Sequence, residues 1–252
     1  MSTGDSMQTI DRAMAILKSF SAREPELSLA DLHHKLGLSK SSLQRVLNSL
    51  VFQGLLEKDN NRKTYQLGLE IYFLGQLVER NSQLLSKSNR HMINLRDQLG
   101  EAVGLNILYK ERRKCIGYIP GKHELATITY VGQTSPLYAG SSAKLLMAFL
   151  PVEEQEKLLQ KIEFEKMAEN TILNKEDLLK ELQKVQKNGY ATSRSERVKG
   201  AFSLCAPIKN RFGEVIAGVT LLIPTARVDE TKMDYYIEET LKTASAISSD
   251  LS

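Results

Sequence analysis

The chain has 252 residues, of which 42% are hydrophobic and 25% charged, with a net charge of +4. That length exceeds one small reader domain and supports two cores. The longest apolar run, Val215 to Pro224, is about half a membrane span, and the opening MSTGDSMQT lacks an apolar secretion signal, so the protein is expected to be cytoplasmic.

The first predicted element is an amphipathic helix over Ile10 to Phe20, with Ile10, Ala13, Met14, Leu17 and Phe20 on one face. A second helix over Leu29 to Leu36 is stopped by Gly37, and Ser39 supplies a hydroxyl to cap the next. In that next helix Leu43, Val46, Leu47 and Leu50 recur at i, i+3, i+4 and i+7 and form the stripe that faces the core. Lys40, Ser41, Ser42, Gln44, Arg45 and Asn48 are left for the other side, where they can meet base edges or phosphates in a major groove. Phe52 is expected to pack at the helix end against the following hairpin. Gly54 closes the helix, and two short strands around Asn60, Asn61, Arg62 and Lys63 make a wing whose tip can touch the sugar-phosphate backbone. Residues 35 to 67 alone carry a net +4, which leaves the remainder neutral. Helix, tight turn, helix and basic hairpin in that order predict a winged helix-turn-helix that binds double-stranded DNA.

Beyond the wing, Leu69 to Leu85 has Ile71, Leu74, Leu77, Val78 and Leu85 at helical spacing and predicts a connecting helix, followed after a polar interruption by Met92 to Leu99. It has more apolar residues than one packing face needs, which points to contact with a second subunit. From residue 101 the pattern becomes strand-like, at 102–109, 114–119, 125–131, 202–208 and 215–223. Helices are predicted over Ser142 to Leu150, Val152 to Ile162, Lys175 to Asn188 and Asp229 to Leu251. Strands and helices that do not alternate one for one predict an α+β domain with an antiparallel sheet. The expected division is 1–67 for the DNA reader, 68–88 for a linker helix and 89–252 for a ligand-binding and oligomerisation domain.

No cofactor or metal site is expected. Cys115 and Cys205 stand far apart and read as free thiols. His33 and His34 face different directions on one helix, His91 and His123 stand alone, and all four read as surface residues. Ser141-Ser142-Ala143-Lys144 matches Ser-x-x-Lys, in which the lysine could activate a serine nucleophile, but no Ser-Asp-Asn or Lys-Thr-Gly accompanies it. The expectation is therefore no enzyme, with a Ser141/Lys144 hydrolase as a remote alternative.

The order of parts resembles the IclR family of bacterial transcription regulators over nearly the whole chain. The resemblance is carried by LGLEIYFLG at Leu67 to Gly75, TSPLYAGSSAKLLMAFL at Thr134 to Leu150 and GYATSRSERVKGAFSLCAPIKNRFGEVIAGVTLLIPTARV at Gly189 to Val228. It implies a winged-helix reader joined to a GAF-like effector domain, assembled as a homodimer or homotetramer and responding to a small carboxylic or aromatic acid. It also implies an effector site at Ser193, Ser203, Cys205 and Thr220, beneath a loop of Gly140, Ser141 and Ser142. Ala143 and Leu222 depart from the family pattern and imply a less polar or larger site. The function expected is a regulator, most simply a repressor, with a sensor half that binds only a protein partner as the alternative.

Overall fold

The computed structural model describes residues 8–21, 24–124 and 129–251, which divide after Asn81 into two compact units.

The first unit contains α1 (Gln8–Ser19), α2 (Leu29–Leu36), α3 (Lys40–Phe52), α4 (Leu69–Asn81) and three strands, β1 (Leu27–Ser28), β2 (Leu56–Asp59) and β3 (Thr64–Leu67). The small sheet is antiparallel with β3 in the middle. Ser28 and Asp31 form a reciprocal box at the start of α2, with the Asp31 N–H donating to Ser28 Oγ at 3.2 Å and the Ser28 N–H donating to the Asp31 carboxylate at 2.8 Å. Gly37 ends α2 with φ of 66°, and Ser39 Oγ accepts from the Ser42 N–H. The predicted stripe of α3 is buried against Ile16, Phe20, Leu32, Leu56 and Tyr65.

Two expectations are corrected here. In α1 the fully buried residue is Ile16, while Ile10 and Met14 are 56% and 44% exposed. Ala13, Ile16, Leu17 and Phe20 share one face, and at about 100° per residue Ile10 and Met14 fall off its edge. Phe52 is 87% exposed and does not pack on the wing. It lies about 200° around α3 from Leu50, the last buried position, so the helix itself turns it outward.

The helix predicted over 69–85 ends at Asn81, because Ser82 leaves helical geometry and caps α5 (Gln83–Leu99) through the Leu85 N–H. None of the side chains of α4 is buried.

The second unit is built on six antiparallel strands in the order β6-β5-β4-β9-β8-β7. They are β4 (Ala102–Tyr109), β5 (Arg112–Ile119), β6 (Thr134–Ser135), β7 (Ala191–Arg194), β8 (Ala201–Lys209) and β9 (Val215–Pro224). The apolar run noted in the sequence is β9, a central strand covered on both faces. On one face Val103, Leu105, Leu204, Ala206, Val219 and Leu221 pack with Met92 and Leu95 of α5 and with Tyr236, Ala244 and Ile247 of α9 (Met233–Leu251). On the other, Ala191 and Cys205 pack with Leu145 and Met147 of α6 (Ser141–Ala148) and with Leu178, Leu182 and Val185 of α8 (Lys175–Asn188). A further helix, α7 (Val152–Lys161), contributes Leu159 to this second core.

The strand expected at 125–131 lies partly outside the described residues, and Thr129 to Val131 are not strand. The sheet edge is instead β6, which pairs with Arg113 and Lys114 of β5. The short β7 was not foreseen. The C-terminal helix begins at Met233 rather than at Asp229, after two single 3₁₀ turns.

Register decides what the second face can hold. Ser193, Ser203 and Leu222 lie in one row across β7, β8 and β9, and Cys205, Thr220 and Gly104 lie in the next across β8, β9 and β4. At Gly218 an added Cβ would stand 2.6 Å from Cys205 Sγ and 3.0 Å from Leu145 Cδ2, both fully buried. Gly218→Ala is therefore expected to destabilise the protein by about 1–3 kcal/mol through overpacking, measured as a fall in the urea midpoint; an unchanged midpoint would show that the α6 seat tolerates the extra methyl.

Candidate functional site

The burial of one stripe of α3 leaves Lys40, Ser41, Arg45 and Asn48 exposed. No carboxylate among the described residues lies within ion-pair distance of Lys40, Arg45 or Lys63. The other DNA-facing candidates are partly committed to neighbours. Ser42 Oγ accepts from Arg12 at 3.0 Å, which ties α3 to α1. Gln44 Nε2 donates to Asn48 Oδ1 at 2.8 Å and to Tyr65 OH at 3.1 Å, which orients the polar face from the wing side. At the wing tip Asp59 accepts from the Arg62 and Asn61 N–H groups, which hold its pKa down, and Lys63 follows with φ of 57°. Arg62 is the least available cation, because Glu26 lies 3.2 Å from it and Asp59 3.8 Å. Glu26 and Glu24, which takes Lys35 at 2.6 Å, fall outside the segment whose charge was counted from the sequence, so the uncompensated positive charge is narrower than +4 and centres on Lys40, Arg45 and Lys63.

The second unit holds a small cavity on the α6 face of its sheet, with about 30 Å³ of open space. Its floor is Gly104 and Asn106 of β4, Arg113 and Cys115 of β5, Ser203 of β8, and Thr220 and Leu222 of β9. Gly140, Ser141 and Ser142 close it from above, with Thr129 and Arg197. A smaller space of about 20 Å³ adjoins it, shares Gly140, Arg197, Ser203 and Leu222, and is also lined by Ser193, Val198, Ala201 and Glu196, whose carboxylate is taken up by Lys144 and the Gly140 N–H. Six of the seven effector candidates thus meet around two adjoining spaces. Cys205 is the exception: it lies behind Thr220, whose hydroxyl donates to its sulfur at 3.2 Å, and complete burial pushes its thiol up to about 12. Asn106 Nδ2 in turn donates to Thr220 Oγ1 at 2.9 Å, so the hydroxyl is held in one orientation.

Sequence reasoning missed the charged part of this wall. Arg113 is 3% exposed, with Nε donating to Ser135 Oγ at 3.0 Å and Nη1 to the Gln133 carbonyl at 3.2 Å. Burial, and then the neighbouring charge of Arg197, lower its pKa to about 10, still far above neutrality. Burial lowers Arg197 as well. Alternation along β5 could have placed Arg113 on the same face as Cys115, but nothing local in SERVKG signals an inward arginine.

Lys144, the lysine of the Ser-x-x-Lys match, is 1% exposed and faces away from catalysis. Its ammonium donates to Glu196 at 2.6 Å and to Glu181 at 3.1 Å, while the second Glu196 oxygen accepts from the Gly140 N–H at 3.0 Å. Burial opposes ionisation of Glu181, yet the Lys144 charge outweighs it and the net shift is downward. An ammonium locked between two carboxylates is no base for Ser141, whose hydroxyl donates to Ser203 Oγ at 2.7 Å. Two of the histidines also have structural partners rather than a purely solvated surface: His33 Nδ1 lies 2.6 Å from the Leu38 carbonyl and His91 Nε2 lies 2.8 Å from Asp250. Among the described residues no three His, Cys, Asp or Glu side chains are placed to share a metal ion, and no helix is long and apolar enough to cross a membrane.

Two family models match the chain: "IclR helix-turn-helix domain" over residues 9–60 and "Bacterial transcriptional regulator IclR C-terminal" over residues 76–249. Among curated relatives, the HTH-type transcriptional regulator KipR of Bacillus subtilis (strain 168) is 32% identical over 241 residues, 96% of each chain. The HTH-type transcriptional regulator KdgR of Escherichia coli (strain K12) is 27% identical over 233 residues, 92% of this chain and 88% of that one. Among solved structures, an IclR homologue from Microbacterium hydrocarbonoxydans complexed with 4-hydroxybenzoate superposes with a TM-score of 0.85 at 22% identity, covering 96% of this chain and 98% of its own.

Because Glu196 is 8% exposed and its charge is met by Lys144, Lys144→Met should leave a buried uncompensated carboxylate and cost about 3–5 kcal/mol. Urea unfolding followed by circular dichroism measures this; a loss below about 1 kcal/mol would mean that the pair is merely a solvated surface contact.

Proposed function

The chain belongs to the IclR family of bacterial transcriptional regulators, and from that premise we propose that it is a cytoplasmic repressor whose operator affinity is set by a small organic acid bound in its second unit. The observation that carries the DNA half is the bare face of α3, where Lys40, Ser41, Arg45 and Asn48 stand exposed over a buried stripe. Such a face is an insertion surface for a major groove, and Lys63 on the wing tip is placed for phosphate. Ser42 and Gln44 position this face, and Arg62 serves it less directly because of Glu26.

The effector half rests on the enclosed polar cavity. Ser142 and Ser203 offer hydroxyl protons, Ser141 and Thr220 line the wall with hydroxyls that donate to Ser203 and Cys205, the first turn of α6 beyond Gly140 offers backbone N–H groups, and Ser193 borders the adjoining space. Cys205 acts through Thr220. The structural relative bound to 4-hydroxybenzoate supports an acid as the class of ligand. A cavity with serine hydroxyls and two arginines on its wall favours a small-molecule ligand over a sensor half for a protein partner alone.

Dimerisation is proposed through α4. Leu69, Tyr72, Phe73, Leu74, Leu77 and Val78 are 53–65% exposed and surround most of the helix, whereas a helix apolar on so many sides is stable only when covered. Two copies joined there would present two α3 helices to two half-sites, and assembly beyond the dimer would use the second unit. An effector that alters operator affinity by some factor must have its own affinity altered by DNA by the same factor.

Fluorescence anisotropy on DNA from upstream of the gene tests this reading. Arg45→Ala is expected to weaken specific binding by about 1–3 kcal/mol and to relax sequence preference, whereas Lys63→Ala should weaken specific and random DNA alike and reduce the salt slope by about one. Equal losses from both variants on both DNAs would remove Arg45 from base recognition. Leu77→Asp should convert the dimer to monomer in light scattering and reduce operator affinity; an unaltered mass would place the interface elsewhere.

A further inference from the structure

The cavity carries more positive charge than a single carboxylate needs. In the strand and loop 194–199, Arg194 pairs with Glu230, and Lys199 pairs with Glu169 at 3.4 Å, but Arg197 has no carboxylate of the described residues within ion-pair distance. The carboxylate next to it in sequence, Glu196, is already taken on one oxygen by Lys144 and on the other by the Gly140 N–H. Glu181 is likewise shared between Lys144 and Lys184, the latter at 3.6 Å. Arg113 donates only to neutral oxygens, and its Nη2 forms no hydrogen bond among the described residues. Elsewhere in this unit a comparable cation is neutralised, as Arg227 is by the buried Glu101. The Arg113 guanidinium, almost wholly withdrawn from water without an anion, is costly, and the half-buried Arg197 beside the same cavity adds to that cost.

Both arginines line the same space, and Arg197 Nε stands 3.9 Å from where a Cβ of Gly140 would lie, directly over the start of α6. The first-turn N–H groups of α6 have no partner within the helix and add positive potential on the same side. We infer that the effector of this chain is a compact dianion: two acidic groups on a skeleton of a few carbons, one received by Arg113 and the other by Arg197 with the start of α6. The inference rests on the acid-effector reading and narrows it. A guanidinium fork fits a carboxylate in two parallel hydrogen bonds.

Isothermal titration calorimetry on the full-length protein at constant ionic strength tests the inference. The probes are malonate and succinate for two carboxylates, phosphoglycolate for a phosphoryl and a carboxylate, and acetate, butyrate and glycolate as monoanions. At least one of the three probes with two acidic groups is expected to bind about tenfold or more tightly than every monoanion, and whether it is a dicarboxylate or phosphoglycolate, which carries nearly one charge more at neutral pH, identifies the second group. Arg197→Gln is expected to abolish that preference while monoanion binding changes little, and Arg197→Lys to restore part of it. Arg197 is chosen over Arg113 because it makes no hydrogen bond among the described residues that folding would miss. Monoanions binding as tightly as dianions, or a preference that survives Arg197→Gln, would overturn the dianion while leaving an acid effector in place. No binding by any acid, together with operator affinity indifferent to all six, would overturn both.

Discussion

The buried contact between Lys144 and Glu196 fixes the geometry on which the second unit's site depends. Lys144 is the largest fully buried side chain among the described residues and sits one turn into α6, every residue of which is buried. Its charge would be untenable there without Glu196, and Glu196 in turn reaches the Gly140 N–H at the helix start. One ion pair therefore locates the beginning of α6, the loop that follows β7, and the side chains both elements contribute. Gly140, with φ of 98°, lets the chain enter α6 at an angle that other residues rarely adopt. Ser195, at φ of 51°, turns the other strand of the contact and accepts from the Gly200 N–H. Ser141, Ser142 and Arg197 reach the cavity as consequences of this arrangement.

Much of the architecture was legible because it rests on local chemistry. The helix-turn-helix could be read from Gly37, Ser39 and a stripe at helical spacing, since each of those residues acts on its own few neighbours. The long strands β4, β8 and β9 were legible from β-branched and apolar runs. What escaped was nonlocal. The phase of α1 depends on which residues α2 and α3 present to it, and Ile16 won over Met14 for that reason. The two-residue strands β1 and β6 exist only through partners, and no pattern of that length can announce them. The break at Ser82 was hidden because apolar spacing continues across it, while the cap that makes the break is a single hydroxyl.

The candidate site divides in the same way. Its small and hydroxyl-bearing part was reached through family resemblance, and those residues converge as strand register dictates. Its charged part was invisible, because an arginine in a sequence reads as surface until its neighbours are known. The charge count of the DNA-facing segment failed for a related reason. Glu24 and Glu26 lie before the motif in sequence but reach Lys35 and Arg62 in space. Burial and pairing therefore alter the charge map in opposite senses in the two units: partners silence part of the basic surface around α3, and the lack of partners preserves a cationic interior beside α6.

That contrast bears on how a small molecule could exert leverage. A ligand shifts an equilibrium only by its differential affinity for the competing states. Holding the Arg113 guanidinium out of water beside the half-buried Arg197 carries an electrostatic cost, and an arrangement that admits water to them relieves it. An anion cancels the cost only where the cavity is closed around it. Binding energy is then concentrated in one state of the α6 face rather than shared equally between states, which is the condition for coupling to anything else that distinguishes them. A site lined by hydroxyls alone would bind the same acid with much less dependence on closure, because serine and threonine lose little by being hydrated.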